Sequence, residues 1–256
     1  MNNPSLYLSE IYSALQGEGP LVGIRQIFVR LSGCDLRCVW CDTPNSLIKT
    51  EYCEVEEYTS LRQFKKIKNP VSGNDFIDLF SRLNPKLHHS VSFTGGEPLL
   101  QATTLLDIIP EIKNKFLLPI YLETGGHRPD KLKEIIHLID YISMDFKLPS
   151  SSGTQSIWEE HKEFLSISFK SKNLKDFWVK IVITNQTDFS DLLTAVNLIN
   201  KFKSDKNVEV ILQPVTEING IKAPDQNELL NINSRLLEYY TNIRVLPQVH
   251  KLIGQK

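Results

Sequence analysis

Strand-like and helix-like runs alternate along most of this chain. Residues 24–31, IRQIFVRL, are β-branched and apolar enough to predict a strand, which Ser32-Gly33 then breaks. The stretch 50–68 is charged and only weakly periodic, which predicts a peripheral insertion rather than core. A helix should follow, because Ser72 can cap it and Phe76, Ile77, Phe80 and Leu83 recur on one face. Further strands are predicted at 90–93, 120–123, 141–146, 177–183, 208–213 and 243–246. Between them lie helical segments near 99–116, 129–138, 155–166, 191–202 and 225–240, and Pro110 predicts a kink or break inside the first.

Such alternation predicts an α/β fold with a largely parallel sheet and helices packed outside it. The 256 residues lie at the upper end of one compact domain, so a single domain over 1–256 is expected, carrying the insertion at 50–68. In parallel βα architectures functional loops lie beyond the carboxyl ends of the strands. The motifs below all sit at such an end or just before one.

Composition narrows the classes of function. The chain carries 29 Lys plus Arg against 30 Asp plus Glu, with no extended basic block, which disfavours nucleic acid as a direct partner. No leader-like start and no run of about 18 apolar residues is seen, so a soluble, cytoplasmic protein is expected. Three of the four cysteines, Cys34, Cys38 and Cys41, fall within eight residues, a poor layout for disulfides and a good one for ligands. Cys53 stands apart in a polar stretch and is left unassigned.

Three thiolates are too few for the closed four-cysteine ligation of a structural zinc site or an electron-transfer cluster. One corner of an iron–sulfur cluster would stay open to a ligand; a zinc site completed by Cys53 or a histidine is the alternative. Gly95 and Gly96 in the TGGEP run can bring backbone close to a ligand, or simply make a strand-to-helix turn. Glu123 ends the next strand, where a carboxylate can accept hydrogen bonds from ribose hydroxyls. Ser143, Met144 and Asp145 end the one after. Arg30 lies in an apolar strand and needs an anionic partner, either a ligand or a structural salt bridge.

The run from Cys34 to Cys41, with Trp40 just before the third cysteine, resembles the signature of the radical S-adenosylmethionine (SAM) superfamily. The GGEP turn matches that superfamily's SAM-contacting motif. The flanks narrow the resemblance to 7-carboxy-7-deazaguanine synthases. SALQGEG at 13–19 resembles their N-terminal segment, Asp42-Thr43 the pair whose threonine binds their metal, and Gln213-Pro214 and PQVHK at 247–251 their last two strand ends.

This resemblance implies an open, partial (β/α) barrel of about six or seven strand-helix units. It implies a carbon–nitrogen lyase that contracts the ring of 6-carboxy-5,6,7,8-tetrahydropterin, with loss of ammonia, on the way to queuosine-type bases. A [4Fe-4S] cluster on Cys34, Cys38 and Cys41 would cleave SAM to a 5′-deoxyadenosyl radical. SAM would lie against Gly95, Gly96, Glu97, Glu123, Ser143, Met144, Asp145 and Gln213. Leu15, Gln16, Gly17, Arg30, Thr94 and His250 would bind the pterin, with Thr43 holding Mg²⁺ against its carboxylate. An electron donor such as flavodoxin or ferredoxin and a homodimer are further implications. A glycyl-radical enzyme activase and a structural metal-binding interaction module are the alternatives.

Overall fold

The computed structural model describes residues 4–202 and 208–255; residues 1–3, 203–207 and 256 of the expected domain lie outside that range. The strands are β1 (Ser5–Leu6), β2 (Leu8–Leu15), β3 (Arg25–Leu31), β4 (Tyr52–Glu56), β5 (Phe64–Lys68) and β6 (Val71–Ser72). They continue as β7 (Ser90–Gly95), β8 (Ile120–Thr124), β9 (Tyr141–Asp145), β10 (Asp176–Ile183), β11 (Glu209–Pro214) and β12 (Ile243–Val245). The helices are α1 (Gly73–Ser81), α2 (Ala102–Phe116), α3 (Pro129–Ile135), α4 (Pro149–Ser152), α5 (Trp158–Lys170), α6 (Phe189–Asn200), α7 (Gln226–Leu237) and α8 (Val249–Leu252).

Ten strands form one sheet in the order β12-β11-β10-β9-β8-β7-β3-β2-β4-β5. From β3 through β7 to β12 every pairing is parallel, whereas β2 runs antiparallel to β3 and β5 antiparallel to β4. The end strands β12 and β5 do not pair with each other, so the sheet stays open, as expected of a partial barrel. It nevertheless curls far enough that Gln248, beyond β12, reaches Asp42, beyond β3, at 3.0 Å.

Alternation along each strand divides the sheet into two faces. Ile27, Val29, Val91, Phe93, Leu122, Ile142, Met144, Val179 and Ile181 point outward into one large core, which α1, α2, α3, α5 and α6 complete with Phe80, Leu105, Ile109, Leu132, Phe164 and Ile199. Serines, charged residues and aromatics fill the intervening inward positions. Ser72 caps α1 by accepting from Asp75 N, as the sequence predicts.

Three expectations are corrected. Segment 50–68 supplies the β4–β5 hairpin, which continues the main sheet at its edge; Cys53 and Val55 enter the core, while Lys65, Lys66 and Lys68 blunt the outermost strand. Helix α2 runs unbroken through Pro110, because Leu105, Ile108, Ile109 and Ile112 anchor the helix on both sides of it. Finally, β2 was hidden by its mixed composition. Because it is antiparallel, the SALQGEG loop leaves it at the opposite end of the sheet from the other motifs and then folds back over the inner face.

Candidate active site

The cluster loop leaves β3 at a glycine in the left-handed region, Gly33. Its neck is closed by Gly33 N to Ser46 O at 2.8 Å and Cys34 N to Leu47 O at 3.1 Å. Farther along, Val39 N donates to Ser152 O of α4 at 2.9 Å, and the Arg37 guanidinium donates to the carbonyls of Cys34 and Leu36, both at 2.7 Å. Cys34, Cys38 and Cys41 are free, half-buried thiols on the wall of one cavity of about 780 Å³. Burial pushes the Cys34 thiol up to about 11 and raises Cys38 as well, so stable thiolates there require a cation such as iron.

The residues fit an iron–sulfur cluster. Three thiols sit on one loop with the cavity beside them, and two buried acceptors on the cavity wall, Asp145 Oδ1 and Gln213 Oε1, have no hydrogen-bond partner. Among the described residues no three His, Cys, Asp or Glu side chains converge to hold a single ion, and Cys53 is buried within β4.

The paired glycines explain themselves differently from the sequence expectation. A Cβ on Gly95 would stand 2.2 Å from Leu31 O, and one on Gly96 would stand 2.1 Å from Gly33 O. Both glycines let the GGEP turn lie against the backbone of the cluster loop, and Gly96 N and Glu97 N donate to those same two carbonyls. The Glu97 carboxylate is committed too: it accepts from Leu99 N at 3.0 Å, Thr124 Oγ1 at 2.8 Å and Gly125 N at 2.9 Å. It ties GGEP to the end of β8. His127 extends the tie by bonding Asp35 of the cluster loop at 2.7 Å, and Arg128 pairs with the same carboxylate.

On the inner face Glu123 accepts from Gln16 Nε2 at 2.8 Å, Ser92 Oγ at 3.2 Å and Thr94 Oγ1 at 2.7 Å. Burial raises its pKa, and the neighbouring Glu18 adds to the rise. Arg30 already has an anionic partner, Glu10 of β2 at 3.1 Å, and donates to Tyr12 Oη at 2.8 Å; its side chain remains 16% exposed on the cavity wall. Thr43 is half-buried, with Oγ1 3.9 Å from Cys41 Sγ. Ser143, Asp145, Gln213, Leu15, Gly17 and His250 all line the same cavity. His250 fills the space a side chain at Gly17 would need, and burial lowers its pKa.

Two of the predicted contacts do not survive as side-chain contacts. Gln16 spends its whole amide internally, donating to Gln26 and Glu123 and accepting from Gly17 N and Glu18 N. It is a strut under Glu123, and its backbone is committed as well, Gln16 N donating to Ile24 O and Gln16 O accepting from Gly23 N, both at 2.8 Å. Met144 points outward and is fully buried, its Cε 2.6 Å from where a Cβ on Gly126 would stand.

Sequence reasoning passed over four residues that the structure brings into the site. Lys180 bonds Glu18 at 2.7 Å and Asp145 at 3.0 Å; Lys147 bonds Asp145 at 2.8 Å and lies 4.2 Å from the Trp40 ring centroid. Gln248 donates to Glu18 and Asp42. Burial works against the Glu18 carboxylate, but Lys180 and Gln248 more than offset it and hold its pKa down at about 2. A lysine in an apolar strand, FWVKIVI, was the available signal for Lys180.

An open, mostly parallel sheet with a three-cysteine loop beyond one strand defines a radical SAM enzyme with a single [4Fe-4S] cluster. Residues 15–161 match the family described as 4Fe-4S single cluster domain. The chain belongs to the 7-carboxy-7-deazaguanine synthase family. It is 37% identical to the 7-carboxy-7-deazaguanine synthase of Geobacter sulfurreducens over 100% of both chains. The enzyme of the same name from Methanocaldococcus jannaschii is 33% identical, over 96% of this chain and 99% of its own. The crystal structure of QueE from Escherichia coli has the same fold, with TM-score 0.60 at 20% identity over 96% of this chain and 95% of that one. TYW1 with a lysine-pyruvate adduct bound shares the fold at TM-score 0.54 and 15% identity, over 85% of this chain and 76% of that one. The family supports neither the activase nor the metal-binding module. No helix among the described residues is long and apolar enough to cross a membrane.

Proposed function

We propose that this chain converts 6-carboxy-5,6,7,8-tetrahydropterin to 7-carboxy-7-deazaguanine and ammonia within the single cavity that carries the cysteine loop on one side and Arg30, Glu123, Gln213 and His250 on the other. That shared cavity is the observation that supports the reading most. Cys34, Cys38 and Cys41 would hold the cluster, which together with SAM would supply the one-electron and radical chemistry. The protein's own task is to orient and to exclude water.

Arg30 would grip the substrate carboxylate, Glu10 and Tyr12 having fixed the direction of its guanidinium. Thr43, two residues beyond Cys41, would present Mg²⁺ to the same carboxylate, a hard ion suited to oxygen donors. Glu123 and Thr94, with the second lone pairs of the carbonyls of residues 15–17, would read the donor and acceptor edge of the pterin. Asp145 Oδ1 and Gln213 Oε1 offer acceptors toward SAM, joined by Ser143 and by the backbone of Met144, Gly95 and Gly96; Glu97 would act through the loops it ties together.

Neither Lys180 nor Lys147 is set up to form an adduct. Burial alone would favour the neutral amine of Lys180, yet Asp145 and Glu18 outweigh it and hold the ammonium, and Asp145 does the same for Lys147. An external one-electron donor such as flavodoxin or ferredoxin, a homodimeric state and a cytoplasmic setting complete the reading.

The test is an anaerobic turnover with reconstituted protein, dithionite, SAM, Mg²⁺ and the carboxytetrahydropterin, read by mass spectrometry. Formation of 7-carboxy-7-deazaguanine with ammonia loss is expected. SAM cleavage without that product would overturn the substrate, and intact SAM over a reducible cluster would overturn the chemistry.

A further inference from the structure

The sheet stays open between β12 and β5, and a ring of polar contacts spans its inner face, joining β9, β10 and the segment after β12 to the loops at either end of β3. It begins at Trp40 in the cluster loop and passes through Lys147 and Asp145 to Lys180 of β10. From there it runs to Glu18 in the β2–β3 loop and to Gln248 beside α8, and returns to the cluster loop at Asp42. Both ends of this ring therefore flank Cys41.

Gln248 is the link between the two walls of the cavity. Its Nε2 donates to Glu18 Oε1 at 2.9 Å and to Asp42 Oδ2 at 3.0 Å, while its Oε1 accepts from Thr216 Oγ1 at 2.6 Å. The residue is only 8% exposed, so water does not easily replace its bonds to Glu18 and Thr216, whereas the Asp42 carboxylate is 38% exposed. Glu18 belongs to the segment proposed to bind the pterin, whereas Asp42 stands between Cys41 and Thr43. The two carboxylates share one amide donor group; Glu18 is also held by Lys180 at 2.7 Å and Gln213 Nε2 at 3.2 Å, so the shared amide matters most to Asp42. Val249 N to Gly17 O at 2.9 Å and Lys251 to Asp42 at 3.9 Å reinforce the same closure.

We infer that Gln248 is a positioning residue that locks the cluster loop to the substrate wall, so that its loss uncouples SAM cleavage from product formation. The inference rests on the proposed placement of the pterin beside residues 15–17. An error of about 1 Å in the placement of reacting groups can cost roughly a hundredfold in rate, so a link of this kind acts on coupling before it acts on binding.

Gln248→Glu keeps the side chain's shape, removes both donors and sets a third carboxylate beside Glu18 and Asp42. Deoxyadenosine released per product formed should rise about tenfold, with kcat falling more than KM for the pterin rises. In iron-free protein, amide hydrogen exchange across residues 34–43 should accelerate about tenfold while α2 is unchanged. Adding Asp42→Asn returns a donor to the opposite side of the same contact, and should restore most of both readouts. Wild-type coupling and exchange in Gln248→Glu would overturn the inference. So would faster exchange in α2 to the same degree, or a double variant no better than the single one. Failure of the wild type to make product would count against the proposed function instead, while the iron-free exchange would still decide whether the link holds.

Discussion

Strand β9 shows two environments within five residues. Ile142 and Met144 are fully buried against the helices, in a core whose members are almost all aliphatic or aromatic. Ser143 and Asp145, one residue away on the same strand, face the cavity, and Asp145 carries two ammonium partners. The outward face obeys hydrophobic burial, in which side chains of similar volume are interchangeable at small cost. The inward face is held by ion pairs and hydrogen bonds, which tolerate little substitution because each buried charge depends on its partner. Tolerant apolar packing and exacting charge pairing thus alternate along the same strand.

The largest effect should come from the cluster loop. Cys38→Ala should abolish iron retention and lower turnover on the order of a thousandfold or more, since the cofactor carries the chemistry. Its melting free energy should move by no more than about 1 kcal/mol, because the thiol is half-buried and outside the core. Iron analysis together with urea denaturation tests both halves, and a large loss of stability would show that the loop thiols also carry the fold.

Neighbours on β9 separate the faces more finely. Asp145→Asn leaves Lys147 without its carboxylate and weakens the hold on Lys180, so it should cost about 3–5 kcal/mol. Met144→Leu should cost less than about 1.5 kcal/mol and leave KM for SAM unchanged, because that side chain faces the helices. A raised KM in Met144→Leu would return the thioether to the SAM site and break the comparison.

How much of this was legible follows from the same division. Helix-facing positions repeat with the period of their element, so six parallel strands after β3 and the helices between them could be read directly from segments such as SVSF and FWVKIVI. β2 was not, because its sequence LSEIYSAL mixes inward polar and outward apolar residues around an irregular register at Leu8 and Glu10. The cysteines and GGEP were legible as motifs, although the glycines serve the approach of two loops rather than an open cradle. Lys180, Glu18 and Gln248 were not assigned a role. They meet only because the sheet curls, and contacts at sequence separations as large as Gln248 to Glu18 have no local signature.

The smallest expected effect lies at the seam between the faces, where α5 touches a site loop. His161 is fully buried, its ring centroid 4.0 Å from that of Phe146, and its Nε2 donates to Gly125 O at 3.0 Å. Burial, with His127 adding to it, lowers its pKa to about 3. In the unfolded chain the same imidazole takes up a proton near about pH 6.5. Between about pH 3 and 6.5 the unfolded state therefore binds more protons, so stability rises with pH across that window and is lost as pH falls below about 6.5. At about pH 5 the loss from this group should be roughly 2 kcal/mol, at 1.36 kcal/mol per pH unit. His161→Gln keeps a donor for Gly125 and cannot titrate. Urea denaturation near neutral pH and at about pH 5 should show the wild type losing roughly 2 kcal/mol more than the variant. Equal losses in the two proteins would mean that the imidazole charges in place, and that the seam admits water that the outward core excludes.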